Sequence, residues 1–126
     1  MNKYGNKKVV IDGEAFDSKR EYYRYRDLKF LESCGAISNL RRQVTYELIP
    51  AQRELSTKVY KKGRKKGQPI PGKVIEKAVT YIADFVYKDT ATGKEVVEDA
   101  KGVRTKDYII KRKLMLYIHG IKLREW

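Results

Sequence analysis

One cysteine, Cys34, stands in a chain of 126 residues, so no disulfide can close within it, and a reducing cytoplasm suits it. Falling near the end of a predicted helix, Cys34 reads as a packed thiol rather than a nucleophile. Histidine is equally scarce: His119 is alone, which argues against a Cys/His zinc site and a Cys–His dyad. No apolar run approaches the roughly 18–20 residues that cross a bilayer. The opening MNKYGNKKVV has neither an apolar leader core nor a small-residue cleavage site, so no secretory leader and no membrane partner are expected. Acid is the scarce charge: 16 Asp+Glu face 29 Lys+Arg, a formal net charge of +13. Such an excess points to a polyanionic partner, nucleic acid ahead of an anionic membrane surface.

What the chain does have is enough apolar material, 41% including ten tyrosines, for the core of one domain over residues 1–126. KKVVID near the start is strand-like. FDSKREYYRYRDLKFLESCG carries a helical period, with Asp17 or Ser18 as cap, Glu21 three residues after Ser18 as in a capping box, and Gly35 as the stop. Phe16, Tyr23, Phe30 and Leu31 are expected to supply apolar contacts, while Glu21, Tyr25 and Leu28 share a second stripe. AISNLRRQVTYELIP alternates and ends on Pro50, so it reads as a strand. EKAVTYIADFVYKD, the turn DTATGK and EVVEDAKG read as an antiparallel hairpin. TKDYIIKRKLMLYIHG reads as a second helix, capped by Thr105 and ended by Gly120, and IKLREW as a short closing strand.

Between the first strand and the hairpin, residues 53–75 break every period. Six of the nine residues in KVYKKGRKK are basic: Lys58, Lys61, Lys62, Arg64, Lys65 and Lys66. GQPIPGK follows. The segment reads as a mobile basic loop, or a hairpin with a disordered tip, that touches phosphate; a loop that only aids solubility is the plainer alternative.

The chemistry concentrates in the hairpin. Side chains alternate along a strand, so in VVEDAKG Asp99 and Lys101 share one face and Glu98 takes the other, as a supporting or surface residue. Asp84 interrupts the apolar run YIADFVY, and an aspartate in a buried strand is costly unless its charge is compensated. The hairpin can set Asp84 beside Asp99, where two bare carboxylates would repel. Magnesium or manganese would resolve the repulsion, since both ions favour hard oxygen ligands. Lys101 would orient the attacking water and neutralise charge on the phosphate. Such a set suits phosphodiester hydrolysis. The plain alternative is a surface ion pair between Asp99 and Lys101 with Asp84 on an edge strand.

YIADF and VVEDAKG resemble the two halves of the PD-(D/E)XK nuclease signature, Asp84 and then Asp99-Ala100-Lys101. The whole chain is similar to a family of small phage-encoded proteins, classed as a domain of unknown function and assigned to that superfamily. The likeness rests on KYGNKK, FDSKRE, a strand containing Gln43, YIADF and VVEDAKG. It also resembles Holliday-junction resolvases and the Tn7-type transposition endonuclease in layout. Ala83 stands where the superfamily name has proline, a position that carries no chemistry.

The resemblance implies a restriction-endonuclease-like α/β/α core with a mixed central sheet flanked by helices. It implies a cation held by Asp84, Asp99 and the Ala100 backbone carbonyl, with Glu21 as a further ligand unless it is only the capping-box partner of Ser18. Gln43 would hold the site or the substrate, or else is a polar residue on a half-exposed strand. The expected function is a magnesium- or manganese-dependent DNA endonuclease on branched DNA such as Holliday junctions, in phage replication or recombination within the host cytoplasm. Two strands to cut and one site per chain favour a homodimer, with a phage or host recombination partner in view. The competing expectations are a non-catalytic nucleic-acid-binding module and a nuclease subunit active only in a larger complex. Two carboxylates in a basic surface argue against the pure binder.

Overall fold

The computed structural model describes residues 8–101 and 103–126. They divide into two compact units, one built from the segments up to Tyr46 and from Tyr81 onward, the other from Glu47–Thr80. The fold is mixed α/β, with a central mixed sheet of four strands and two helices. No helix of the described residues is long and apolar enough to cross a membrane.

The first unit begins with a small hairpin, β1 (Val9–Ile11) against β2 (Glu14–Phe16). Its turn is Asp12-Gly13, both at positive φ (54° and 79°), the arrangement that Asp-Gly adopts in tight hairpins. That dipeptide was the available signal for β2, which the strand-like reading of KKVVID did not reach. Helix α1 (Lys19–Ser33) follows, capped by Ser18, whose hydroxyl accepts from the Glu21 N–H at 3.2 Å. Cys34 is its exposed C-cap residue, and Gly35 turns the chain at φ 81°. Cys34 is therefore not packed, because the helix ends in solvent.

The helix buries the stripe of Glu21, Tyr25 and Leu28 rather than that of Tyr23 and Phe30, both exposed. Leu28 meets Ile37, Phe85 and Tyr87 in the core, with Tyr25, Leu31 and Val96 around them. Phe16 closes the N-terminal end of this layer, its ring 5.3 Å from that of Tyr25.

The sheet runs in the order β3 (Ile37–Ile49), β6 (Val79–Asp89), β7 (Glu95–Asp99), β8 (Arg124–Glu125). β6 and β7 form the expected antiparallel hairpin, in register Phe85 to Glu98 and Val86 to Val97. Its turn is tied by the Asp89 carboxylate, which accepts from the Ala91 N–H at 2.8 Å. Helix α2 (Lys106–His119), capped by Thr105 and ended by Gly120 in the left-handed region, carries the chain over to β8. β8 lies parallel to β7, so β7, α2 and β8 make one crossover unit.

The second unit holds the basic segment, expected as a mobile loop or as a hairpin with a disordered tip, and the hairpin is what forms. β4 (Gln52–Arg53) pairs with β5 (Val74–Glu76), and the pairing resumes further out, where Val59 bridges Pro69. Ile70 donates to the Lys58 carbonyl at 2.9 Å and Tyr60 to that of Gln68 at 3.0 Å. The prolines do not break this ribbon. Pro69 and Pro71 flank Ile70, whose N–H points inward, so they occupy positions whose N–H would face outward and be wasted.

Candidate active site

Extending the hairpin register by one pair sets Asp84 opposite Asp99. Directly opposed residues of an antiparallel pair project from the same face, so the two carboxylates become neighbours. Both are buried. Asp84 Oδ2 accepts from the Ala100 N–H at 2.9 Å, and Asp99 Oδ2 accepts from the Tyr81 hydroxyl in a short hydrogen bond. Lys101 Nζ stands 3.3 Å from Asp99 Oδ1 and 4.9 Å from the centre of the Tyr108 ring. The ammonium is close enough for an ion pair but is poorly aligned for a hydrogen bond, so Asp99 Oδ1 is buried without a hydrogen-bond donor.

Glu21 joins from the first turn of α1. Its Oε2 accepts from the Asp17 N–H at 3.0 Å, a close variant of the capping box. Its Oε1 accepts from Gln43 Nε2 at 3.0 Å and from Arg42 Nη2 at 3.2 Å. Gln43 Nε2 also reaches Asp84 Oδ1 at 3.4 Å, which links the helix carboxylate to the hairpin. One oxygen of Glu21 thus meets the helix entry and the other meets the β3 side chains beside Asp84.

Arg42 and Gln43 are consecutive, and strict alternation would aim them at opposite faces. They meet on one oxygen because Gln43 sits at φ 53°, a left-handed conformation inside β3 that kinks the strand. Strain of this kind costs on the order of 1–3 kcal/mol and persists where the surroundings enforce it. Here the amide of Gln43, held between Glu21 and Asp84, is the enforcing contact.

Electrostatics follow burial. Loss of hydration pushes the Asp84 carboxyl well above the ordinary carboxylate range, and the Asp99 carboxyl beside it pushes the same way through a hydrogen bond and like charge. Glu21 is raised too, by burial first, against the stabilising pull of the Asp17 N–H and Arg42. Tyr81 is driven far up by burial and by Asp99, so it remains a hydroxyl donor.

The donor set fits a hard divalent cation. One oxygen each from Asp17, Glu21 and Asp84 lie within 4.8 Å of one another. Asp99 Oδ1, adjacent to Asp84, is a buried acceptor with unused capacity. Raised carboxylates of this kind are those whose protons a cation would displace. Buried Glu21 and Asp84 and exposed Asp17 are the carboxylates gathered closely enough to share one ion; Asp99 lies outside that trio and would join it only through its place beside Asp84.

Sequence reasoning missed three contributors. Asp17 was visible as an acid four residues before Glu21. Arg42 could not be found without the β3 kink. Tyr81 could not be found by alternation, which sets it and Asp84 on opposite faces. Ala100 reaches the site through its N–H on Asp84.

Glu98 faces away from Asp99 as alternation implied, and its burial corrects only the surface alternative. It is fully buried on the opposite face, gripped by Arg24 through two hydrogen bonds and by the Tyr87 hydroxyl at 2.6 Å. Helix α1 supplies Arg24 to Glu98, which is why the acid sinks rather than facing water. The six cations Lys58, Lys61, Lys62, Arg64, Lys65 and Lys66 all belong to the second unit and are exposed.

Comparison with known proteins gives one finding. The family model described as a protein of unknown function (DUF1064) matches residues 1–125. No curated protein and no solved structure matches the chain.

Proposed function

We propose that this chain, which belongs to the DUF1064 family, is a metal-dependent DNA endonuclease of PD-(D/E)XK type. One observation carries the reading: Asp84 and Asp99 are buried side by side in a strongly basic chain, with Lys101 on Asp99 and a buried Asp99 oxygen lacking a donor. Burying two carboxylates together is costly, and a protein that only bound phosphate would gain nothing from it. A bound magnesium or manganese ion would offset that cost and polarise a phosphate oxygen of the substrate.

The chain's own residues supply the rest. Gln43 and Arg42 hold the Glu21 carboxylate facing Asp84. Tyr81 fixes one oxygen of Asp99 and leaves the other to the cation. Lys101 stands where it can orient the attacking water and neutralise charge developing on the phosphate. The substrate in this reading is branched DNA formed during phage replication or recombination, cut in the host cytoplasm by a homodimer with one site per chain.

The test is cleavage of Holliday junctions, flaps, linear duplex and single strands with magnesium or manganese. Wild-type protein should cut at least one of the branched substrates. Asp84→Asn and Asp99→Asn should each abolish cutting, because each removes a carboxylate ligand of the cation, while DNA binding in chelator persists. Lys101→Arg should keep the charge but not full turnover, because a planar guanidinium of much higher pKa is a poor substitute beside a water. Equal rates in wild type and either asparagine variant would refute the assignment. Metal-independent DNA binding without cutting on any substrate would favour the non-catalytic module.

A further inference from the structure

From Leu55 to Ile75 the chain carries seven lysines and arginines and no acid. Seven of the net thirteen charges therefore fall in one sixth of the sequence. None of the seven has an acidic partner among the described residues. Like charge at this density favours an open, mobile loop, yet the segment is an ordered two-stranded ribbon. Three glycines hold it so. Gly63 and Gly67 turn the tip at φ 82° and 83°. At Gly72 a Cβ would fall 1.8 Å from the Glu54 carbonyl oxygen, so only glycine lets the two strands close at the base.

We propose that the Gln52–Glu76 ribbon is a duplex-binding arm that lies in the major groove of DNA; this rests on the reading of the protein as a DNA-acting enzyme and names the form of DNA it grips. Nine residues from Gln52 to Tyr60 span at most about 30 Å at ~3.3 Å each, so up to about nine base-pair steps at ~3.4 Å. A groove about 12 Å wide admits a two-stranded ribbon, whereas a minor groove about 6 Å wide does not. Single strands are held by stacking bases on exposed rings. The ribbon has one aromatic, Tyr60, and Lys65 lies over its ring at 5.8 Å. A membrane-binding arm needs apolar side chains at its end, and the tip KKGRKKGQ has none.

The test measures binding in chelator, so that it does not depend on cleavage. The probes are a mixed-sequence duplex, the same length of single strand, and vesicles containing phosphatidylserine. Replacing Lys58, Lys61, Lys62, Arg64, Lys65 and Lys66 together by serine should flatten the slope of log affinity against log salt by about five units if all six meet phosphate, at about 0.9 per contact. Gly72→Val keeps every charge but opens the base of the ribbon, and should weaken duplex binding at least tenfold. Methyl green, which occupies the major groove, should displace the wild-type protein from duplex, and the minor-groove ligand distamycin should not. A Gly63→Ala, Gly67→Ala double variant repeats the charge-neutral test at the tip, with thermal melting to confirm that the rest of the chain is folded.

An unchanged salt slope in the serine variant would overturn the proposal. So would wild-type affinity in both folded glycine variants, displacement by distamycin alone, or single strands or vesicles bound as tightly as duplex. Loss of all nuclease activity with these binding results intact would sink the enzymatic reading and leave the arm standing. Cleavage that survives while the arm's binding results fail would do the reverse.

Discussion

Glu21 serves three donors with one carboxylate, and that division can be tested by turning one of its oxygens into an amide nitrogen. Oε2 holds the Asp17 N–H, while Oε1 holds Gln43 and Arg42, all of them donors. In Glu21→Gln the amide presents an N–H at one end or the other, so a buried donor loses its acceptor, at a cost of about 1–3 kcal/mol. Melting temperature should fall and cleavage should fall with it. Ser18→Ala removes the cap acceptor alone, costs about 1 kcal/mol, and should leave cleavage intact. Equal cleavage by both variants, at a temperature where both are folded, would mean that Glu21 only caps the helix. The stripe that carries Glu21 was legible from the i, i+4, i+7 spacing as one of two candidate faces. Its partner Arg42 was not, because a left-handed residue in a strand overrides alternation and leaves no mark in composition.

At the scale of elements, the β6–β7 hairpin sorts two adjacent acids onto two faces with different work. Asp99 turns to the carboxylate site, and Glu98 turns under α1 to Arg24 and Tyr87. Glu98→Ala would strand the largely buried Arg24 guanidinium without its anion, and breaking a buried pair in this way costs about 3–5 kcal/mol. Thermal unfolding should register the loss, while cleavage at low temperature, where the variant remains folded, should stay near wild type. A large loss of turnover in the folded variant would instead tie Glu98 to the chemistry. The opposite facing of 98 and 99 follows from strand geometry and was legible. That both faces would be buried was not, because it depends on where the rest of the chain packs.

For the molecule as a whole, the site makes stability depend on pH in a direction that can be stated beforehand. The folded pKa of Asp84 lies above that of the unfolded chain, so the folded state binds more protons. Stability from this group is therefore greatest below the ordinary aspartate value of about 3.9, and falls as pH rises from there toward the raised folded value. Glu21 acts in the same direction. Melts in chelator should show wild type losing ground to Asp84→Asn as pH rises through that window. Magnesium should restore wild type most at the high end, where the cation no longer competes with protons, and should do little for the variant. A wild-type minus variant difference that is flat across pH would show that Asp84 titrates normally.

Much of the secondary structure was decided locally and could be read without coordinates. Ser18, Thr105 and Gly120 end their helices through bonds within a few residues, and the β6–β7 turn closes on Asp89. The pairing of Asp84 with Asp99 also follows from the sequence once the hairpin is granted, since a two-residue period and a short turn leave little other register. Tertiary structure decided the rest. It chose the α1 stripe that is buried, sank Glu98, brought Arg42 and Gln43 onto one oxygen, and set Tyr81 on Asp99. It also ordered the basic segment, where cross-strand backbone hydrogen bonds and the close approach at Gly72 outweigh the repulsion among its cations. Each of these depends on contacts between residues far apart in the chain, which neither period nor composition encodes.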